Sequence, residues 1–346
     1  MEWTKEETWF FRLSKYQQPL LDHYATSPGL IQPESRRNEV MRFVEGGLKD
    51  LSVSRTSFDW GVPVPGSPGH VMYVWVDALT TYMTGVGFPE REGDWARYWP
   101  ADVHLIGKDI VRFHAVYWPA FLMSAGLPIP KQVYAHGFLL ARGEKMSKSL
   151  GNVVDPMQLA ERFGVDALRY FLLREVTFGQ DGSYSAEAIV SRCNAELANS
   201  FGNLAQRSLS MIFKNLDGVL PEAGQADEDI ALLGQVEQAC AVLTEEFQRF
   251  AFSVGLEAWM AAVFACNQYV DSAAPWALRK TDPQRMADVL GTLVVAIRAL
   301  AVAVAPVVPA SADKLLTLID SGQGGVPIAQ PQPIFPRLEL AEDEAA

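Results

Sequence analysis

The sequence predicts an α/β region built on a parallel sheet, followed by an all-α antiparallel helix bundle. Three observations carry that expectation. From Val71 to about Ser149, short runs rich in β-branched and aromatic residues alternate with helical runs, the pattern of strands joined by crossover helices. From Ser185 to about Ile319, helical periodicity is sustained and broken near Gly218–Pro221 and at Pro275. The chain has 346 residues, more than one ordinary core organises, so two or three domains are expected.

Taken in order, Trp9-Phe10-Phe11 reads as a strand, and Ser14 as the cap of a helix running to about Tyr24. Pro33-Glu34-Ser35 opens a second helix that Gly46-Gly47 ends. Val62 to Gly69 is rich in proline and glycine and reads as a turn-rich joint. Val71 to Trp75 reads as a buried strand followed by a helix through Tyr82. Val103 to Gly107 is a second strand, followed by a helix from about Asp109 to Ser124, and Val133 to His136 is a third. A parallel sheet of this kind places ligands at the C-terminal ends of its strands. Asp155-Pro156 starts a helix, with Asp155 as cap and Gln158 completing a capping box. The tail from Gly322 reads as an extended strap with a loose acidic end.

Composition narrows the class. Hydrophobic residues make up 49% and charged residues 20%, a globular balance. The net charge of -12 excludes a generic nucleic-acid coat but leaves room for a local basic groove. Cys193, Cys240 and Cys266 lie far apart and form no C-x-x-C pair. They read as reduced thiols of a cytoplasmic protein, with neither a disulfide framework nor a structural zinc site. Val289 to Pro309 is the most apolar stretch, but it carries Arg298 near its middle. It is read as a buried bundle helix rather than a membrane span.

The chemistry concentrates in His136-Gly-Phe-Leu-Leu-Ala-Arg-Gly-Glu-Lys-Met-Ser-Lys-Ser-Leu-Gly-Asn152. The segment leaves a strand end, turns at Gly143 and finishes in a loop carrying Lys145, Ser147, Lys148 and Ser149. Displacement at phosphorus asks a protein mainly for positioning and positive charge. Two lysines on a loop supply both, and His136 can donate to a phosphate oxygen or to ribose. An exposed basic loop with serines is the bland alternative for the short motif. The longer frame, with His136-Gly137 before it and Gly151-Asn152-Val153-Val154 after it, resembles the second signature of class I aminoacyl-tRNA synthetases. The resemblance implies the second half of a Rossmann-like catalytic domain that uses ATP with Mg2+ as substrate. Lys145 and Lys148 are then the catalytic residues, and Gly107, Lys108, His136, Gly137, Met146 and Ser147 lie with them at ATP.

Tyr73-Val-Trp-Val-Asp-Ala-Leu, continuing to Tyr82, and Ile106-Gly-Lys-Asp-Ile-Val-Arg-Phe-His-Ala-Val-Tyr-Trp-Pro119 resemble the methionyl-tRNA synthetase family. Physically the set suits methionine, because aromatic walls hold a polarizable thioether well. By resemblance Trp75, Tyr82, His114 and Trp118 line the side-chain pocket, and Tyr82 and His114 add a hydrogen-bonding edge for the sulfur. Asp109 pairs the substrate ammonium, which needs a partner when desolvated; its bland role is a helix N-cap. Tyr117 is divided evenly between pocket wall and core aromatic.

Asn199, Asn203 and Arg207 repeat every four residues and share one helix face. From spacing alone a solvated polar face explains them. The family's Asn-x-x-x-Asn-x-x-x-Arg helix reads the CAU anticodon together with a Pro-Trp pair, here Pro275-Trp276. The resemblance therefore implies tRNA(Met), initiator tRNA included, as partner. It divides the chain into four regions. Residues 1–60 are the tail of an inserted connective domain and its return to the catalytic domain. Residues 61–150 are the C-terminal half of that domain with its KMSKS loop, 151–185 a stem-contact region, and 186–346 the anticodon-binding domain with its tail. Phe178 to Ser185 resembles the stem-contact segment, with Asp181 structural.

The first signature of the class, His-x-Gly-His, is formed by none of His23, His70, His104, His114 and His136. The expectation is a chain that starts mid-enzyme and needs its N-terminal half for full stability and activity. Two other readings stay open: a class I synthetase for another amino acid, and a non-catalytic tRNA-binding module with a synthetase body. The Val74–Ala78 segment and Trp118 argue against the first. The joint presence of Lys145, Lys148 and Asp109 argues against the second.

Overall fold

A computed structural model describes residues 6–141, 143–147 and 152–340. The chain divides between Phe138 and Leu139 into two compact units.

In the first unit the elements run β1 (Phe10–Phe11), α1 (Gln17–Thr26), β2 (Ile31–Gln32), α2 (Glu34–Glu45), β3 (Leu51–Ser52), β4 (Ser54–Arg55), β5 (Val71–Met72), α3 (Val74–Thr84), α4 (Asp94–Tyr98), β6 (His104–Gly107), α5 (Trp118–Ala125) and β7 (Val133–His136). The central sheet has the order β2-β7-β6 and is parallel throughout, with Gly107 beside His136 at its C-terminal edge. Short antiparallel pairs, β1 with β3 and β4 with β5, flank it. One core lies under this sheet, where Leu20, Tyr24, Val40 and Val44 of the two helices meet Ile106, Ala115 and Val133. The Tyr24 hydroxyl donates to the Ala115 carbonyl at 2.6 Å, satisfying a buried polar atom. A second core is largely aromatic and gathers Leu79, Met83, Trp95, Trp99, Trp118 and Leu122.

Two local expectations are corrected. Ser14 does not cap α1. Its hydroxyl donates to Asp50 at 2.6 Å, and a 3-10 turn over Leu13–Tyr16 precedes the helix. The strand expected through Trp75 stops at Met72, and α3 begins at Val74. A run of β-branched and aromatic residues reads alike as strand or as the first turn of a buried helix, and here packing of Trp75 on Phe113 decides. Between β6 and α5 the chain passes through a 3-10 turn (Lys108–Ile110) and a π-helical stretch (Phe113–Tyr117).

In the second unit β8 (Leu139–Ala141) and β9 (Glu144–Lys145) form a hairpin whose turn residue Gly143 has φ +83, where a side chain would be strained. After α6 (Pro156–Phe163) and α7 (Val165–Glu175), β10 (Gly182–Tyr184) joins β8 in parallel. Asp155 caps α6 through the Met157 N–H at 2.8 Å. Met157 is the second helical position and Gln158 the third, so Asp155 caps the helix without forming the expected capping box among the described residues. Then follow α8 (Ala186–Cys193), a π-helical stretch (Asn194–Gly202), α9 (Asn203–Asn215), α10 (Asp227–Gln248), α11 (Phe252–Ala273), α12 (Pro275–Thr281), α13 (Pro283–Val304) and α14 (Pro309–Asp320).

The apolar α13 sits inside this bundle, with Leu290, Leu293, Ile297 and Leu300 fully buried. Its Arg298 pairs with Asp320 at 3.0 Å. The tail returns as an extended strap: Ile328 donates its N–H to the Gly218 carbonyl, and Phe335 packs on the π-helical stretch at Gly202. A Cβ at Gly202 would lie 3.3 Å from the Phe335 ring, so the glycine admits the strap. The acidic end of the tail, expected to be loose, lies outside the described residues.

Candidate functional site

An aromatic pocket forms where α3 meets the chain after β6. Trp75 stacks on Phe113 with ring centres 3.8 Å apart and presents its face to the edge of His114 at 6.1 Å. Tyr82, two turns along α3, shares a hydrogen bond of 2.9 Å with His114 Nε2. The other imidazole nitrogen, Nδ1, lies 3.1 Å from the Ile110 carbonyl. A carbonyl only accepts, so Nδ1 carries the proton. Burial holds the His114 pKa below its ordinary value, against the raising effect of the Ile110 hydrogen bond. Nε2 is then a lone pair that accepts from the Tyr82 hydroxyl, whose own pKa burial raises. The Tyr82 proton is thus committed to His114, and the edge that Tyr82 presents outward is an acceptor. The hydrogen-bonding edge expected of Tyr82 and His114 is thus turned inward, the two side chains bonding each other beside the aromatic walls.

Trp118 does not stand on the open wall. It is 1% exposed and lies in the aromatic core, 6.0 Å from Trp99, with its indole N–H unpartnered. Two contributors went unread in the sequence. Phe113 forms the stack on Trp75, although it lies between residues that were singled out. His104 heads β6 and meets the Tyr82 ring edge-on at 4.2 Å. Its signal was a histidine at the start of an apolar strand, which by itself favours nothing but a core residue. Tyr117 is half-buried, with its ring edge against Phe113 at 5.4 Å.

The second half of the site lies at the C-terminal edge of the sheet. Asp109 is not the N-cap of the turn that follows β6. Gly107 holds that position, and Asp109 lies within the first turn. A Cβ on Gly107 would come 2.7 Å from the Asp109 carboxylate, so glycine there leaves room for that carboxylate. Asp109 lines a groove with Arg36, Glu39, Lys108, Arg112 and Tyr117. The Lys108 ammonium lies 4.7 Å from the centre of the Phe138 ring. Next to Gly107 in the sheet, His136 donates from Nδ1 to the Gly137 carbonyl at 2.8 Å.

In the second unit Lys145 is exposed on β9, and the half-buried Met146 and Ser147 follow it. Asn152 closes the base of this loop: its carboxamide accepts from the Ser147 N–H at 2.8 Å and donates to the Lys145 carbonyl at 3.2 Å. Lys148 and Ser149 lie outside the described residues. Also in this unit, Asn199 and Asn203 are exposed and line one groove with Gln206 and the strap. Arg207 pairs with Asp271 at 3.1 Å, and its guanidinium lies 5.7 Å from the Trp276 ring centre. Ala274, at φ +44, turns the chain from α11 into α12, burying Pro275 and leaving Trp276 half exposed. Arg207 and Trp276 thus meet, as do Asn199 and Asn203. Among the described residues no group of three His, Cys, Asp or Glu side chains is placed to hold a metal ion.

Residues 1–209 match the family described as tRNA synthetases class I (M), and residues 220–332 match the anticodon binding domain of methionyl tRNA ligase. The methionine–tRNA ligase of Brucella suis is 55% identical, over 99% of this chain and 70% of that protein. The methionine–tRNA ligase of Mycobacterium tuberculosis is 53% identical, over 97% of this chain and 69% of that protein. A crystal structure of the M. tuberculosis methionyl-tRNA synthetase bound by methionyl-adenylate superposes with a TM-score of 0.91 at 53% identity, covering 97% of this chain and 70% of that one. Its apo form superposes at 0.90.

Proposed function

The chain belongs to the methionyl-tRNA synthetase family, and on that premise we propose that it activates methionine with ATP and transfers it to tRNA(Met), initiator tRNA included. The observation that carries the amino-acid assignment is the neutral aromatic pocket of Trp75, Tyr82, Phe113 and His114, which offers no charged group to a side chain. Thioethers bind well against such walls, whereas a charged side chain would lose its hydration without compensation. Asp109 takes the substrate ammonium a short distance away, on the charged side of the same chain segment.

The reaction follows from these roles. The methionine carboxylate attacks the α-phosphate of ATP and pyrophosphate leaves. The terminal adenosine hydroxyl of the tRNA then takes the methionyl group and AMP leaves. Gly107, Lys108, His136 and Gly137 sit at the sheet edge where the nucleotide binds, and Lys145 and Lys148 neutralise charge that develops on the phosphates. Mg2+ accompanies ATP as part of the substrate. Trp118 backs the methionine pocket from the core. In the second unit Asn199, Asn203 and Arg207 read the anticodon, and Trp276 next to Pro275 stacks on an unpaired base. The domain assignment that accompanies this reading is the fourfold one given above, in a cytoplasmic enzyme.

Methionine-dependent exchange of pyrophosphate into ATP tests the reading. It is measured with the chain alone and after adding the part of a relative that lies outside the aligned 70%. We expect exchange that depends on methionine in at least one of the two measurements. Silence in both, with tRNA binding retained, would replace the enzyme by a tRNA-binding module. Activation of another amino acid in preference to methionine would remove the pocket assignment.

A further inference from the structure

The helix that carries Asn199 is not in α register where that residue sits. From Asn194 to Gly202 it runs in π register, and at its end the Asn203 N–H reaches the Ala198 carbonyl, five residues back. Ser200 spans the same interval with its side chain, whose hydroxyl donates to the Ala195 carbonyl at 2.8 Å. Four residues overshoot one turn of an α-helix and fall short of one turn of the wider π-helix. The register therefore decides how Asn199 is turned relative to Asn203. In the π register both line one groove with Gln206 and Phe335. No proline or other helix breaker in Asn194–Gly202 demands this register, so contacts from neighbouring elements must hold it.

Glu196 makes the polar part of those contacts. It is the one charged side chain of the stretch, and it is 7% exposed. The buried Tyr170 hydroxyl donates to its Oε2 at 2.6 Å, and Arg192 donates to its Oε1 at 2.9 Å. Arg174 lies 3.3 Å from both oxygens. Tyr170 and Arg174 belong to α7 and Arg192 to α8, so two helices converge on one carboxylate. Burial, reinforced by the Glu196 charge, holds the Tyr170 pKa well above its ordinary value and keeps the proton in the bond. Outer carboxylates complete the cluster: Glu257 reaches Arg174 at 3.6 Å, and Glu175 reaches Arg192 at 2.7 Å. A buried charge held by several donors resists displacement, because losing one partner leaves the others uncompensated. Its place in the chain gives the cluster a second role. Glu196 stands three residues before Asn199, inside the stretch whose register orients that side chain.

We propose that Glu196 is a positioning residue for the anticodon contacts: its bonds to α7 and α8 fix the π register that turns Asn199 and Asn203 into one groove. It touches no base and acts through the backbone of the stretch. The inference deepens the proposed function and rests on it, because Asn199 and Asn203 are the base-reading residues of that reading.

The test compares two stem-loops, one with a CAU anticodon and one with abasic sites at the three anticodon positions. Each is bound to the full chain and followed by fluorescence anisotropy. The quantity read is the ratio of the two affinities, which a loss of bundle stability does not move while the protein stays folded. Glu196→Gln keeps the shape of the side chain and removes its charge. The ratio should then fall by about fivefold to tenfold, the size of a lost hydrogen bond to a base. Tyr170→Phe removes one donor and should give a smaller fall in the same direction; it carries the test if Glu196→Gln does not fold. Glu257→Gln removes an exposed partner of Arg174 on α11 and should leave the ratio unchanged.

An unchanged ratio in the folded Glu196→Gln and Tyr170→Phe variants would overturn the inference and leave Glu196 a purely structural residue. An equal fall in Glu257→Gln would also overturn it, since any loosening of the cluster would then suffice. If the unsubstituted chain binds the two stem-loops alike, the anticodon assignment fails and takes this inference with it. A preference for CAU in the unsubstituted chain therefore separates the two failures.

Discussion

His104 gives a prediction whose size follows from its surroundings. The imidazole is 4% exposed, lies among Tyr82, Trp99 and His114, and has no hydrogen-bond partner at Nε2. Burial, with a smaller contribution from the charge of His114, pulls its pKa from 6.5 down to about 4. The native state therefore favours the neutral ring. Its contribution to stability is complete above 6.5, the value in the unfolded chain, and is lost as pH falls from there toward 4. At about 1.4 kcal/mol per pH unit, with the native group half protonated at the end of that window, the loss reaches about 3 kcal/mol by pH 4. Carboxylates titrate in the same range, so the quantity to read is a difference between proteins. His104→Phe keeps a ring against Tyr82 and Trp99 but cannot be protonated. In urea unfolding followed from neutral pH to about pH 4, its stability relative to the natural chain should rise by about 3 kcal/mol. Parallel pH profiles for the two proteins, or an NMR titration of His104 with a midpoint near 6.5, would refute the reasoning.

Tyr82→Phe removes the donor to His114 Nε2 and leaves a buried acceptor unpaired. Stability in urea unfolding should fall by about 1–2 kcal/mol, and an unchanged stability would show that the bond between Tyr82 and His114 contributes nothing. Arg285 holds the fully buried Asp229 with a bond of 2.9 Å, helped by the Tyr269 hydroxyl. Burial alone would raise the Asp229 pKa, but the hydrogen bonds from Arg285 and Tyr269 outweigh it and hold it low. Arg285→Met strands that carboxylate and should cost about 3–5 kcal/mol in urea unfolding; adding Asp229→Asn should recover part of the loss, and no recovery would deny the pairing. Trp276→Ala should weaken binding of an anticodon stem-loop by about 1–3 kcal/mol, with no measurable weakening for a stem-loop whose anticodon bases are already replaced by abasic sites.

What was legible in the sequence depended on how local the signal was. The parallel strands ending at Gly107 and His136 stand where strand–helix alternation put them, and the turn at Gly143 is local backbone chemistry. The π-helical stretches at Phe113–Tyr117 and Asn194–Gly202 left no such mark, because a shifted hydrogen-bond register changes no residue type. Trp75 was placed on a strand because its neighbours are β-branched, and only its stack on Phe113, distant in sequence, settles it on a helix. Ser14 was read as a cap, but Asp50, far along the chain, claims its hydroxyl. The positive groove was hidden for the same reason: Arg36 and Arg112 lie far apart in an acidic sequence, and the fold alone makes them share Glu39.

The short stretch after β6 brings two incompatible environments together. Its π turn gives it two working faces. Asp109, Arg112 and Tyr117 line the charged groove, while His114 faces Tyr82 and Trp75, and Trp118 enters the aromatic core. An amino acid with a neutral, sulfur-containing side chain makes the same division, ionic at one end and apolar at the other. A pocket that was aromatic throughout would strand the ammonium, and one that was charged throughout would accept lysine or glutamate as readily as methionine. Neutrality on the apolar face is itself maintained by burial, since protonated His104 or His114 would put a cation beside the ring of Tyr82. The acid lability predicted for His104 and the selectivity proposed for the pocket therefore have one origin, the burial of two imidazoles, His104 and His114, in their neutral form.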